Sequence, residues 1–270
     1  MGKVESSFFD MSRLETLSDQ ATSIHRVDPR AKILATLVFI IAVVSFDRYE
    51  ISGLVPFVLY PVVLLAVGNL PPGYLLKKIL MAAPFAFFVG ILNPFLDRQI
   101  LMQLGPIGIS GGVVSFVSIM LRFVLTVSAA LILVATTGFN AVCMALGNMG
   151  VPRILVVQLL FLYRYIFVLT DEAGRMVRAR ALRSFGSRGM GMRVYGYMVG
   201  QLLLRTLDRA QRIHLAMLCR GFDGEIRLIR PLKIRRGDVL FLAGWSAAFL
   251  FMRLVDVPHF IGKAITGLMP

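Results

Sequence analysis

The sequence predicts an all-α integral membrane protein with about five transmembrane helices and long amphipathic helices outside the membrane. Of its 270 residues, 57% are hydrophobic and only 16% are charged, and the mean hydropathy is +0.76. A water-soluble domain of this size does not require so much apolar sequence. The 29 lysines and arginines outnumber the 15 acidic residues, giving a formal net charge of +14. This composition argues against a disordered chain, a disulfide-stabilised miniprotein and an ordinary cytosolic enzyme.

Five apolar stretches, separated by polar or helix-breaking residues, are the candidate membrane spans. A spanning helix needs roughly 20 mostly apolar residues. Pro71 and Pro72 follow the second stretch and end it. Pro84 interrupts the third stretch and predicts a kinked helix or a re-entrant segment there. The predicted spans are residues 33–46, 51–67, 79–96, 113–136 and 240–257.

Lysine and arginine are distributed unevenly between these spans, and this asymmetry predicts the topology. Positively charged flanks stay in the cytoplasm during membrane insertion. With the N-terminus inside, most of the 29 basic residues fall on the inner side. The predicted organisation is a cytoplasmic N-terminal arm, four spans, a cytoplasmic segment of amphipathic helices, and a last span with an outer tail. These regions are residues 1–30, 31–137, 138–236 and 237–270.

The segment 138–236 is too polar to lie entirely in lipid and too long to be a structureless loop, so it is expected to fold. Apolar residues at helical spacing after Pro152 predict one amphipathic helix, and a second is predicted from about residue 195 to 220. Each helix carries a polar stripe whose long side chains can lie on membrane lipid headgroups or on a protein partner. The stripes comprise Arg164, Asp171 and Arg175 on the first helix, and Arg205, Arg209 and Arg212 on the second.

Both amphipathic helices are predicted to end in the same short motif, Ala-x-x-x-Arg-(Ser/Gly)-Phe. An arginine there can cap the carbonyl groups of its own helix. Two matched copies on one side of a membrane are better explained as two projections that dock into two equivalent sockets on a partner. The copies contain Leu182, Arg183, Ser184 and Phe185 in the first helix, and Cys219, Arg220, Gly221 and Phe222 in the second.

Three further patterns accompany the paired motifs: His-Arg-Val-Asp-Pro-Arg-Ala-Lys at 25–32, Tyr-Arg-Tyr at 163–165 and Asp-Glu-Ala at 171–173. Together they resemble the transmembrane T component of energy-coupling factor (ECF) transporters, and the chain is most similar to the cobalt and nickel type, the CbiQ group. The resemblance extends over nearly the whole chain.

The resemblance implies a non-catalytic scaffold in a bacterial or archaeal cytoplasmic membrane. Such a scaffold joins two ATP-binding-cassette (ABC) ATPases, which bind ATP and Mg²⁺, to a membrane-embedded substrate-binding subunit. The family's X-Arg-X motifs correspond here to Leu182-Arg183-Ser184 and Cys219-Arg220-Gly221, with Arg180 as a competing choice for the first. Cobalt is the expected cargo, and nickel or a vitamin is the alternative.

Other candidate sites are weak. The sequence has no P-loop, and His25, His214 and His259 are too far apart to predict a metal site on this chain. The basic residues lack interleaved base-stacking aromatics, so nucleic acid is not an expected partner. Asp171, Glu172 and Asp208 are the only acids that a lipid-modifying enzyme could use, and no histidine accompanies them.

Arg122 lies within the fourth predicted span, where a charged side chain is costly. It is therefore expected to contact another subunit, or else a carbonyl or carboxylate group of this chain.

Overall fold

The computed structural model describes residue 18 and residues 22–47, 49–93, 100–104, 107–183, 191–224 and 234–254. The chain forms two compact units. The first unit comprises Met1–Val142 and Leu232–Pro270, and the second comprises Cys143–Pro231. The predicted segment 138–236 contains the whole of the second unit.

The first unit is a helical bundle with a short two-stranded ribbon. Asp28 caps its first helix by accepting a hydrogen bond from the backbone N–H of Arg30, and Pro29 occupies the first helical turn. The elements are α1 (Pro29–Val44), a 3₁₀ helix (Ser52–Val58) that leads into α2 (Leu59–Val67), α3 (Pro72–Gly90), strands β1 (Ile100–Leu104) and β2 (Ile107–Ser110), α4 (Gly111–Thr137), the start of α5 (Phe139–Asn148) and α8 (Arg236–Leu254).

Aromatic rings form the centre of this unit. Phe39 of α1 stacks on Tyr60 of α2 with 4.6 Å between ring centroids, and both rings contact Phe249 of α8. Trp245 meets the edge of Tyr60 at 4.8 Å. Because lipid offers the same apolar surroundings as a protein core, the close fit of these rings has to hold the helices together in a membrane.

Among the residues that the structure describes, four helices are long and apolar enough to cross a membrane: α3, α4, α8 and α6 (Arg153–Arg183). The first three overlap the third, fourth and fifth predicted spans. The first two predicted spans coincide with shorter helices, α1 and the 3₁₀–α2 pair. Together, these helices agree with the predicted all-α, multi-pass membrane protein.

Helix α6 lies in the segment 138–236, which the sequence predicts to be cytoplasmic, and it is also a candidate membrane span by its length and composition. Its first part, before Glu172, contains only Arg153, Arg164 and Asp171 as charged residues and is apolar enough to lie in a membrane. The cytoplasmic location of residues 138–236 was inferred from the polarity and the basic charge of the whole segment, and it stays a prediction.

The third predicted span is also different in detail. Helix α3 begins at Pro72 rather than at residue 79, so Lys77 and Lys78 belong to the helix instead of the preceding loop. It continues through Pro84 to Gly90. Residues 79–90 of this span therefore belong to one continuous helix. Strands β1 and β2, which the sequence analysis did not predict, pair antiparallel between α3 and α4.

Two arginines within predicted spans converge on the end of α1. Arg122 of α4 donates a hydrogen bond to the carbonyl of Asp47, and Arg253 of α8 donates to the carbonyl of Ser45 at 3.2 Å. Arg253 also lies over the Phe46 ring, 4.2 Å from its centroid. Both guanidinium groups therefore satisfy carbonyl groups where the chain leaves a helix. Of the two partners expected for Arg122, the described contact is the carbonyl of this chain.

The second unit consists mainly of two long helices, α6 (Arg153–Arg183) and α7 (Met192–Leu218). At the start of α6, Val156 packs against Gly147 of α5 and is the one buried residue of α6. Helix α7 is described throughout and has no buried residue. Large apolar side chains on both helices are exposed, including Ile154, Leu162, Leu203, Leu204 and Leu207. Such surfaces require lipid or partner subunits to cover them.

Candidate docking surface and family

The end of α7 forms a Schellman motif, in which a glycine closes the helix in a left-handed conformation. Gly221 has a φ of +78°. Its N–H donates to the carbonyl of Leu218 at 3.0 Å, and the N–H of Phe222 donates to the carbonyl of Met217 at 3.0 Å. This pair of backbone bonds is the hallmark of the motif. The glycine of the second motif therefore ends the helix in the left-handed conformation.

Backbone capping leaves the Arg220 side chain without a role in ending its own helix. The carbonyls of Met217 and Leu218 already accept backbone N–H groups. Within the described part of the chain, the guanidinium of Arg220 has no hydrogen bond or ion pair, and the residue is exposed. Cys219 and Gly221 beside it are exposed as well, and Phe222 is half-buried. The geometry favours an arginine that projects outward over one that caps its own helix.

The end of α6 presents its arginines in a comparable position. Arg183 is the last residue of the described helix and is exposed, and Leu182 beside it is 81% exposed. Arg180, one turn earlier, is half-buried. Of the two candidates for the first motif, Arg183 is thus the more accessible. Ser184 and Phe185, which complete this motif, lie outside the described residues.

Helices α6 and α7 are joined by a three-residue ion-pair cluster, the Glu172 clasp, formed by Glu172, Arg175 and Arg205. Arg205 Nη1 of α7 donates to Glu172 Oε1 at 2.7 Å, and Arg175 Nη2 donates to Oε2 at 2.5 Å. The Glu172 side chain is only 17% exposed, whereas the arginines are more than half exposed. One carboxylate therefore holds a residue from each helix through charge-assisted hydrogen bonds.

The remaining members of the two polar stripes lie around this clasp. Arg164 and Asp171 are exposed on α6. Arg209 and Arg212 of α7 line a cleft of about 220 Å³ on one side of Glu172. On the other side, a cleft of about 610 Å³ is lined by Arg180 and Arg183. The surface of the second unit is therefore strongly basic, with Glu172 neutralising part of the charge between the helices.

We expect Glu172→Gln to loosen the contact between α6 and α7, because an amide cannot accept two charge-assisted hydrogen bonds. In the wild type, hydrogen bonds from Arg175 and then Arg205 lower the pKa of Glu172 below its ordinary value of 4.5. The clasp is therefore intact above about pH 4.5 and is lost only as the pH falls through the lowered folded-state pKa.

Pulsed EPR distances between spin labels on α6 and α7 measure this effect. The distance distribution should broaden in Glu172→Gln at neutral pH, and in the wild type only at strongly acidic pH. Asp208→Asn removes an exposed carboxylate from α7 and serves as the matched control. A narrow, unchanged distribution in Glu172→Gln would contradict the role of the clasp.

The described residues contain no group of three His, Cys, Asp or Glu side chains that could hold a metal ion. Glu172, one of the three acids considered for a lipid-modifying enzyme, is engaged by two arginines. His259 lies outside the described residues.

A family model described as CbiQ, cobalt transport protein, matches residues 20–229 of this chain. The chain belongs to the CbiQ family. This match confirms the resemblance that the paired arginine motifs and the 25–32 segment indicated. The family is one of transporter membrane components, which agrees with the apolar helices of both units.

The chain is also similar to individual proteins, two of which are named as transporter components. The Salmonella typhimurium cobalt transport protein CbiQ is 32% identical over 160 residues, which cover 55% of this chain and 71% of that protein. The energy-coupling factor transporter transmembrane protein EcfT of Ruminiclostridium cellulolyticum is 26% identical over 244 residues, covering 84% of this chain and 90% of that protein. An uncharacterized Methanocaldococcus jannaschii protein is 28% identical over 229 residues, covering 81% of this chain and 78% of that protein.

The sequence analysis did not assign the Glu172 clasp. It placed Arg175 and Arg205 on separate polar stripes, and it treated Glu172 as part of the Asp-Glu-Ala pattern and as one candidate acid of a lipid-modifying enzyme. A usable signal was present: an acid three residues before an arginine on one helix can hold that arginine and still offer its second oxygen to a neighbour.

Proposed function

We propose that this protein is the coupling subunit of an ATP-driven ECF-type importer, and that it transmits movements of two ABC ATPases to a separate substrate-binding membrane subunit. The observation that carries the proposal is the pair of exposed arginines, Arg183 and Arg220, at the ends of two long helices. ATP and Mg²⁺ bind to the partner ATPases, and this chain contributes no catalytic group. The N-terminus and the basic helix ends lie in the cytoplasm.

The guanidinium group suits docking into a groove on each ATPase. Its planar fork binds carboxylates or backbone carbonyls in two parallel hydrogen bonds and keeps its charge at any relevant pH. Within the described part of the chain, neither arginine makes a side-chain hydrogen bond or ion pair, and both are exposed to a partner. Phe222, next to Arg220, adds an apolar anchor.

Because the two helices are long, a movement at either docking site can be transmitted over a large distance. Helices α6 and α7 contain 31 and 27 residues, which corresponds to lengths of roughly 46 and 40 Å. The Glu172 clasp ties them to each other between their ends. When the ATPases close on ATP, they displace the end of α6 or α7. The Glu172 clasp passes this displacement to the other helix. Both helices then transmit it to the subunits that contact their exposed apolar side chains.

Cobalt is the proposed cargo. The family description and the names of the Salmonella typhimurium and Rhodobacter capsulatus relatives support it. A coupling subunit does not itself have to bind the ion, so the separate substrate-binding subunit determines selectivity. Nickel or a vitamin is the alternative that the experiment below distinguishes.

The test is purification of the tagged wild-type protein from its native membranes in mild detergent, followed by reconstitution into liposomes. ABC ATPases and a further membrane subunit should copurify, and the liposomes should accumulate Co²⁺ only with ATP. Accumulation of Ni²⁺ or of a vitamin instead would change the cargo and keep the coupling role. A protein that purifies without ATPases would contradict the proposal.

A further inference from the structure

We propose that Asp28, Lys32 and Asp238 form an anchor at the start of α1. This anchor fixes the two ends of the chain segment that contains α6 and α7, and its three residues are positioning residues for transport. We call this cluster the α1 anchor. The inference rests on the proposed coupling function, which assigns the 25–32 motif no role.

Hydrogen bonds of the α1 anchor join three separate parts of the first unit. The backbone N–H of Asp28 donates to Asp238 Oδ1 of α8 at 2.9 Å. The second oxygen of Asp238 accepts the N–H of Arg235 at 2.7 Å. Lys32 Nζ donates to the carbonyl of Thr136, in the last turn of α4, at 2.9 Å. The start of α1 thereby holds the end of α4 and the start of α8.

All three side chains are almost fully buried, with exposed fractions of 5% for Asp28, 4% for Lys32 and 4% for Asp238. Burying charges is costly, and apolar residues of similar size often serve stability equally well. The anchor's bonds go mostly to backbone groups rather than between side chains. Such hydrogen bonds fix the relative positions of chain segments. Packing of apolar residues alone defines those positions less strictly.

The position of these segments along the chain is what links the anchor to coupling. Thr136 lies shortly before the second unit begins at Cys143, and Arg235 lies shortly after the first unit resumes at Leu232. Both covalent connections to the coupling helices are therefore held at the start of one buried helix. A force that acts through either connection is therefore transmitted to α1. Without the anchor, the chain near Thr136 and the chain near Arg235 could move independently.

The experiment uses Lys32→Met in the reconstituted complex with its ATPases and substrate-binding subunit. Lys77→Met, the same change at an exposed lysine of α3, is the matched control. Three quantities are measured: copurifying ATPase, ATP hydrolysis, and ion accumulated per ATP hydrolysed, with whichever of Co²⁺ and Ni²⁺ the wild type transports. A purely structural role would lower the yield of complex but leave the ratio of transport to hydrolysis unchanged.

We expect Lys32→Met to retain its ATPases and hydrolyse ATP, while transport per ATP falls by roughly tenfold, a usual size for coupling between two sites. Asp238→Asn, which preserves shape and one acceptor oxygen, should show the same loss if Lys32→Met fails to assemble. An unchanged ratio in an assembled variant would overturn the proposal, and so would loss of assembly in both variants. Failure of the coupling function itself would appear differently, as a wild type without ATPases.

Discussion

Replacing Arg183 and Arg220 together by alanine is expected to abolish copurification of the ATPases and ATP-driven transport, while the protein still inserts into the membrane. Both residues are exposed at the ends of α6 and α7, so their removal leaves no cavity and no unpaired buried group. The Schellman bonds at the end of α7 come from the backbone of Gly221 and Phe222 and do not need the Arg220 side chain. The effect should therefore fall on docking and not on folding.

The expected size follows from the behaviour of central arginines in protein interfaces. Truncating such a residue costs about 2–4 kcal/mol, which weakens binding by roughly 30- to 1,000-fold for each docking site. Detergent pull-down and uptake by cells provide the two measurements. Lys77→Ala, at an exposed position of α3 in the first unit, removes one positive charge outside both motifs and should behave as wild type.

Single variants resolve which arginine belongs to the first motif. Arg183→Ala should weaken ATPase binding, and Arg180→Ala should do so less, because Arg180 is half-buried whereas Arg183 is exposed. The reverse order would assign the first docking site to Arg180. Wild-type ATPase binding by the Arg183, Arg220 double variant would contradict the docking role of both motifs.

The sequence predicted the helical membrane class and three of the long apolar helices because hydrophobic length is a property of consecutive residues. It placed the start of the third span at residue 79, although helix α3 begins at Pro72 and includes Lys77 and Lys78. The pairing of β1 with β2 depends on contacts between two separate segments, which hydropathy does not report.

The candidate site shows the same division between local and long-range information. The left-handed Gly221 was predictable because glycine after a helix is a local signal. The Glu172–Arg205 contact joins residues of two different helices. Helical arithmetic orders residues around one axis and does not say which faces of two helices meet. For the same reason the bonds of Asp238 to Asp28 and of Lys32 to Thr136 could not be read from the 25–32 motif.

Cysteine labelling is expected to map the second docking site directly, because the chain has two cysteines and one of them lies in the motif. Cys219 is exposed and precedes Arg220, whereas Cys143 is buried. Burial also raises the pKa of the Cys143 thiol, which lowers its thiolate fraction and its reactivity. A bulky maleimide should therefore modify Cys219 in the isolated protein and leave Cys143 unmodified.

In the assembled complex, modification of Cys219 should be at least about tenfold slower, because docked interface centres exclude solvent and reagent. Labelling before assembly should conversely prevent ATPase binding, since a large group beside Arg220 blocks entry into a groove. Mass spectrometry of the labelled peptide measures both effects. Cys219→Ser should lose the label and keep its ATPases, which separates reagent bulk from loss of the thiol. Equal labelling rates in the free and assembled protein would show that the end of α7 stays open to solvent, and docking would then have to involve another surface of this chain.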